Sequence, residues 1–313
     1  MLAPETLLCV APSSTDGWWS GLQVARGRLA CVTHGAPDAE AEPISLGCVV
    51  DSACVTPRAR TRAEAEAVSE ALRERLQNEV LKRGMPFILR YCDSEPELWR
   101  RAVGKALVPI ADRILVNDLQ HVAKVAEAWR VDPARILYVP YARPAPVLGN
   151  EDEEEVPAAS DLVVIALEGE APGLPAGITR KQAPRVIAGN AETVYKAAYW
   201  GDRAPKAVFV TPAASASLPH VLAAFSSLAP VVAGRTAQAL AVVPIPSQSF
   251  LYDPADSKAA AVALEAALAL AGPERDALEA AAVRRLAFYA PQRIADTVIR
   301  IFRGLSASVG IRK

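Results

Sequence analysis

The sequence predicts an α/β protein of two domains, each a parallel sheet flanked by helices, with the second domain reduced. Three observations predict it. A chain of 313 residues exceeds one small core and suits two domains of roughly 100–200 residues each. Short apolar runs alternate with amphipathic helical patterns, which is the mark of successive right-handed βαβ units. Finally, the proline-rich stretch Tyr141–Pro157, with the acid run Glu151-Asp152-Glu153-Glu154-Glu155, reads as a solvated linker or exposed turn.

Taken in order, Thr6–Ala11 is a first strand followed by the turn-rich PSSTDG, and Arg28–Thr33 is a second. Ile44–Val50 and Ala53–Thr56 are two further apolar pieces. From Thr61 the helix signal is strong: Thr61 and Glu64 form a capping box, Val68, Leu72, Leu76 and Val80 share a face, and Gly84 stops it. Phe87–Tyr91 is a strand, and Ser94 with Glu97 caps a helix bearing Leu98, Trp99, Ala102, Val103 and Ala106. Asp112–Asn117 is a strand, Val122, Val125, Ala126 and Trp129 mark a third helix, and Arg135–Pro140 closes the first domain.

Beyond the linker, Asp161–Leu167 opens a second α/β unit and Lys206–Thr211 is its central strand. Pro219–Ser227 reads as a helix and Pro230–Ala233 as a buried strand. A polar interruption, a short apolar segment and Phe250–Asp256 then lead into Ala-rich helix broken at Gly272-Pro273. Pro291 precedes a last helix with Ile294, Val298, Ile301 and Phe302 on its apolar positions. The expected division is residues 1–143 and 144–290, with helix 291–313 packing back on the first domain.

Composition excludes several classes. With 34 basic against 35 acidic side chains there is no electrostatic case for nucleic acid or an anionic membrane. The five cysteines form no C-x-x-C pair, which argues against zinc; their apolar contexts suggest buried reduced thiols and a cytoplasmic protein. No basic region precedes an apolar run at the N-terminus, so no signal peptide is expected. Arg235 and Glu265 split the candidate membrane spans. No G-x-S-x-G elbow, Walker A loop or kinase set occurs.

Three segments in sequence order resemble the GT-B glycosyltransferases of the retaining, group 1 type: ADRILVNDLQHVAKVAEAWRVDPARILYVPYARP, KAVFVTPAASASLPHVLAAFSSLAPVVA, and FLYDPADSKAAAVALEAALAL with the helical ending through Phe302. They cover about half the chain. The resemblance implies two Rossmann-like domains facing across a cleft, an acceptor side in the first and a nucleotide-sugar side in the second. It implies transfer of a sugar from a UDP- or GDP-sugar donor to an acceptor, with no other cofactor and no metal.

The departures from the family pattern are chemical. Its two glutamates, eight positions apart, fall at Ser215 and Ala223. A serine hydroxyl still reaches a sugar hydroxyl, whereas alanine offers neither a diol acceptor nor charge stabilisation. The family's phosphate-gripping Arg and Lys have Arg180 and Lys181 as nearest candidates, in a compressed loop that Arg185 follows; ordinary surface cations on a Pro/Gly loop are the plainer role. This loss motivates an alternative, a catalytically inactive GT-B-like binding or scaffold protein. An epimerase on the same architecture is a third reading.

The remaining candidates follow from position. Gly17, in the loop after the first strand, would let backbone approach a phosphate, and equally suits a plain turn. Trp18 and Trp19 are adjacent, so one is expected to face outward, to stack on a ring or to pack between domains. Asp93, at the end of a strand, is the best-placed carboxylate for an acceptor hydroxyl, as acceptor or base, and is also suited to a helix N-cap. His220 opens a helix after Pro219 near the inferred donor sugar; capping or solvent contact is the plainer role. His34 and His121 lie apart from it, with no metal-ligand spacing.

Overall fold

The computed structural model describes residues 5–10, 18, 29–33, 46–52, 60–92, 97–143, 160–170, 184–191, 193–194 and 205–310. These fall into two units. One takes the described residues up to Pro140, apart from Trp18, together with the chain from Gln292; the other takes Trp18 and Tyr141–Pro291.

The first unit is a six-stranded parallel sheet. Its strands are β1 (Glu5–Val10), β2 (Leu29–Thr33), β3 (Gly47–Asp51), β4 (Phe87–Arg90), β5 (Arg113–Val116) and β6 (Ile136–Tyr138), in the order β2-β1-β3-β4-β5-β6. The chain leaves β1 in one direction and returns to β3 on the other side, a doubly wound arrangement. Helix α1 (Arg62–Glu79) starts where the sequence places it. The Thr61 hydroxyl accepts from the Glu64 amide at 3.2 Å, and the Glu64 carboxylate accepts from the Thr61 amide at 3.2 Å. The helix is followed by a 3₁₀ turn that ends at Gly84, whose φ of 69° is left-handed and favours glycine.

Helices α2 (Glu97–Leu107) and α3 (His121–Trp129) cover the same face as α1. Ala65, Leu76, Val103, Leu107, Val125 and Trp129 meet Val50, Leu89, Ile114 and Val116 there. Helix α8 (Pro291–Gly310) runs back to the first unit. Ile294, Val298, Phe302 and Leu305 are buried, while Ile301 is only half-buried, because the i, i+4, i+8, i+11 row fixes the inward face. Phe302 lies against Gly47, where a Cβ would stand 2.7 Å from its ring and 2.6 Å from the Pro86 carbonyl. Only glycine allows that approach.

The second unit holds five parallel strands: β7 (Leu162–Ala166), β8 (Arg185–Ala188), β9 (Ala207–Val210), β10 (Val231–Gly234) and β11 (Leu251–Tyr252), in the order β11-β10-β9-β7-β8. Strand β9 is central, as its apolar run predicts. Arg185 opens the edge strand β8; only Ile187 of its four residues is buried, with Val186 and Ala188 exposed, so the strand carries too short a signal to be read. Both faces of β7 are covered. Val163 and Ile165 pack with α4 (Leu218–Phe225) and α5 (Ala237–Val242), and Leu162 and Val164 with α6 (Ser257–Ala269). The short apolar segment after the polar interruption is therefore α5, capped by Thr236, whose hydroxyl accepts from the Ala239 amide at 3.1 Å. Helix α7 (Gly272–Leu286) begins at the Gly272-Pro273 break. No helix among the described residues is long and apolar enough to cross a membrane.

Candidate functional site at the carboxyl edge of the second sheet

In a doubly wound sheet the chain departs from neighbouring strands in opposite directions and leaves a crevice at their carboxyl ends. In the second sheet that switch point lies between β7 and β9. Just past β7, Leu167–Glu170 forms a turn in which the Glu170 amide donates to the Leu167 carbonyl at 3.1 Å. Gly169 at φ +76° supplies the left-handed step. The Glu170 side chain folds back, and its Oε2 accepts from the Leu167 amide at 3.1 Å. Just past β9, the buried Thr211 hydroxyl donates to the same oxygen at 2.6 Å. A half-buried carboxylate thus clasps the two strands that flank the switch point.

His220 stands in the first turn of α4, 3% exposed. Its Nε2 lies 3.0 Å from the Gly189 carbonyl just past β8, and its Nδ1 2.6 Å from the Ser217 hydroxyl. A carbonyl only accepts, so Nε2 carries the proton and neutral Nδ1 accepts from Ser217. Burial lowers the imidazole pKa, while the Gly189 carbonyl and the Glu170 charge pull the other way. The ring is therefore a neutral bridge from β8 to α4, not a solvent-facing group. Ser217, at the helix N-cap, spends its hydroxyl on His220 rather than on the helix.

Ser215 is fully buried. Its hydroxyl donates to the Thr211 carbonyl at 2.8 Å and accepts from the Gly234 amide at 2.8 Å, tying β9 to the end of β10. The Thr236 hydroxyl donates to the Ser215 carbonyl at 2.5 Å. A Cβ on Gly234 would meet Pro254 at 2.9 Å and Ser215 at 3.3 Å, so the two loop ends touch there. Ala223 is buried inside α4. On β11, Tyr252 stacks on Phe209 with ring centroids 6.0 Å apart; burial, with the Glu170 charge, pushes its phenol up to about 12, so it stays protonated.

Glu170 escapes the sequence reading, although a signal exists: an acid in a glycine turn directly after a buried strand. Of the residues singled out from sequence, Ser215 and His220 come together at this edge. Gly17, Asp93, Arg180 and Lys181 lie outside the described residues, as do Trp19 and His34. Trp18 is buried. His121 lies in the first unit, edge-on to Tyr91 at 5.4 Å.

The carboxyl edge of the first sheet carries a second polar cluster. Arg90, at the end of β4, pairs with Asp51 at the end of β3. Its Nε donates to Asn117 Oδ1 at 2.7 Å, and the Asn117 amide donates to the Val139 carbonyl at 2.7 Å. Ser52 accepts from the Cys92 amide at 2.9 Å. All are buried, so the cluster ties β3, β4, β5 and the end of β6 together from within. Among the described residues no group of three or more His, Cys, Asp and Glu is arranged to hold a metal.

No protein-family model matches the chain, and no curated protein sequence matches it. Solved structures do. The N-terminal domain of trehalose-6-phosphate phosphatase from Candida albicans is 11% identical with a TM-score of 0.57, over 97% of both chains. A glycosyltransferase from Rickettsia africae ESF-5 is 10% identical with a TM-score of 0.57, over 97% of this chain and 99% of that one. Apo OtsA is 10% identical with a TM-score of 0.50, over 96% of this chain and 99% of that one. At such identities the likeness shows fold alone, and the fold is that of these proteins: two Rossmann-type parallel-sheet units of the GT-B kind.

Proposed function

We propose that the protein is a glycosyltransferase that moves a sugar from a nucleotide-sugar, a UDP- or GDP-sugar, to an acceptor. One observation carries the reading: the switch point of the second sheet is walled by hydrogen-bonding groups from four strand ends (Glu170, Gly189, Thr211 and Thr236), the place where such sheets take their ligands. In this reading the second unit holds the donor. Arg180 and Lys181 grip the diphosphate, one by its fork and one as a point charge, and Gly17 leaves room for it. His220 and Ser215 act at the sugar side by fixing the backbone of β8 and β10 against α4. Asp93 of the first unit takes the acceptor hydroxyl. The similar glycosyltransferase structure supports the activity class, and the protein is expected to work in the cytoplasm.

The test is thermal stability with UDP, GDP, ADP and their hexoses. A ligand at 100 times its Kd stabilises the native state by about 2.7 kcal/mol and raises the midpoint. The reading expects a shift with one nucleotide, and slow donor hydrolysis that disappears in Arg180→Ala/Lys181→Ala. No shift with any of them at millimolar concentration rejects transfer and leaves a silent binding protein.

A further inference from the structure

We infer that Glu170 is the ligand-binding carboxylate of the second unit, and that its Oε1 accepts hydrogen bonds from a vicinal diol of the bound molecule. The inference rests on the glycosyl-transfer reading and names the part of the ligand that this corner takes. Both donors that hold the side chain, the Leu167 amide and the Thr211 hydroxyl, fall on Oε2. Oε1 accepts from no described residue, and no described cation pairs with the group. Thr211 is itself held, its amide donating to the Ile165 carbonyl at 3.0 Å. One oxygen is therefore anchored to the sheet beside the switch point, and the other is left to accept from a ligand.

The charge decides what that oxygen can meet. A phosphate is acceptor-only and anionic, so a carboxylate repels it; adjacent hydroxyls are donors and fit the lone pairs of one carboxylate oxygen. His220 and Tyr252, whose titrations both feel Glu170, are held neutral, so neither cancels its preference for donors. The diol belongs either to the ribose of the nucleotide or to the transferred sugar. In both cases the diphosphate lies away from this carboxylate.

Calorimetric titration separates the possibilities. UDP, GDP and ADP, their 2′-deoxy forms, the corresponding nucleoside-diphosphate hexoses, and methyl glucoside alone are titrated into wild type, Glu170→Gln, Glu170→Ala and Thr211→Val. A hydrogen bond to a charged acceptor gives about 10–100-fold in affinity. If the diol is ribose, wild type binds the ribonucleotide that much more tightly than its deoxy form, and Glu170→Ala erases the difference while keeping the deoxy affinity. If it is the sugar, Glu170→Ala erases the gain of the nucleoside-diphosphate hexose over the bare nucleotide, and any binding of the glucoside. Thr211→Val weakens the same discrimination partially, and Glu170→Gln guards against a variant that fails to fold. Unchanged affinities and discrimination in both Glu170 variants overturn the inference while the transfer reading stands. No binding of any probe to wild type removes both.

Discussion

Replacing Arg90 by methionine is predicted to destabilise the first unit by about 3–5 kcal/mol, the range for breaking a buried pair from one side. The size follows from what remains. Asp51 is wholly inaccessible to water, and Asn117 Oδ1 loses the Nε donor at 2.7 Å, so the variant buries a carboxylate without its guanidinium and an amide oxygen without its proton. Total stabilities are typically 5–15 kcal/mol, so such a loss is a large fraction of the whole. Hydrogen exchange by mass spectrometry reads it locally: amides of β3, β4 and β5 that open with the unit should exchange about 100- to several-thousand-fold faster, since each 1.4 kcal/mol is tenfold, while β9 and β10 of the second unit keep their protection. The double variant Asp51→Leu/Arg90→Met removes both charges and should cost less than Arg90→Met alone. A change below tenfold for Arg90→Met, or a double variant worse than the sum of the singles, would refute the view that an obligatory charge pair braces this edge.

Two further outcomes test the burial arguments. Because burial holds the folded His220 pKa below its usual 6.5, the unfolded chain binds the proton first; stability of the second unit should be intact above that value and decline as pH falls below it. Denaturant midpoints between pH 7.5 and 5 should show that decline in wild type and a flatter profile in His220→Gln. The Cys48 thiol is pushed far above its ordinary range by burial and, secondarily, by Glu79, so iodoacetamide at neutral pH should leave it unmodified in the native protein and alkylate it once denatured, read by peptide mass.

What the sequence disclosed follows from how locally each feature is encoded. The strands with runs such as ILVN, LVVIA and VFV are buried on both faces, so their apolar content alone reveals them, and the Thr61/Glu64 box is a contact between residues three apart. Strand β8 escaped because an edge strand needs few apolar residues; its place is set by pairing with β7, which is a property of the sheet. The site was legible only in part for the same reason. Ser215 and His220 stand out beside a recognisable helix and strand, but their roles depend on partners far along the chain: Gly234 for Ser215, and Gly189, 31 residues away, for His220.

Glu170 makes the case most fully. In sequence it is one acid among many, next to Glu168 in an ordinary glycine turn. Its distinction comes from Thr211, 41 residues on, which the parallel pairing of β7 with β9 brings within hydrogen-bond reach. A family comparison that looks for acids at positions 215 and 223 finds a serine and an alanine and reads loss of chemistry. The fold supplies a carboxylate to the same sheet edge from a different strand. Since parallel sheets gather all their carboxyl ends at one edge, a carboxylate reaches that edge from the β7 turn as readily as from the β9–α4 connection, without disturbing the core.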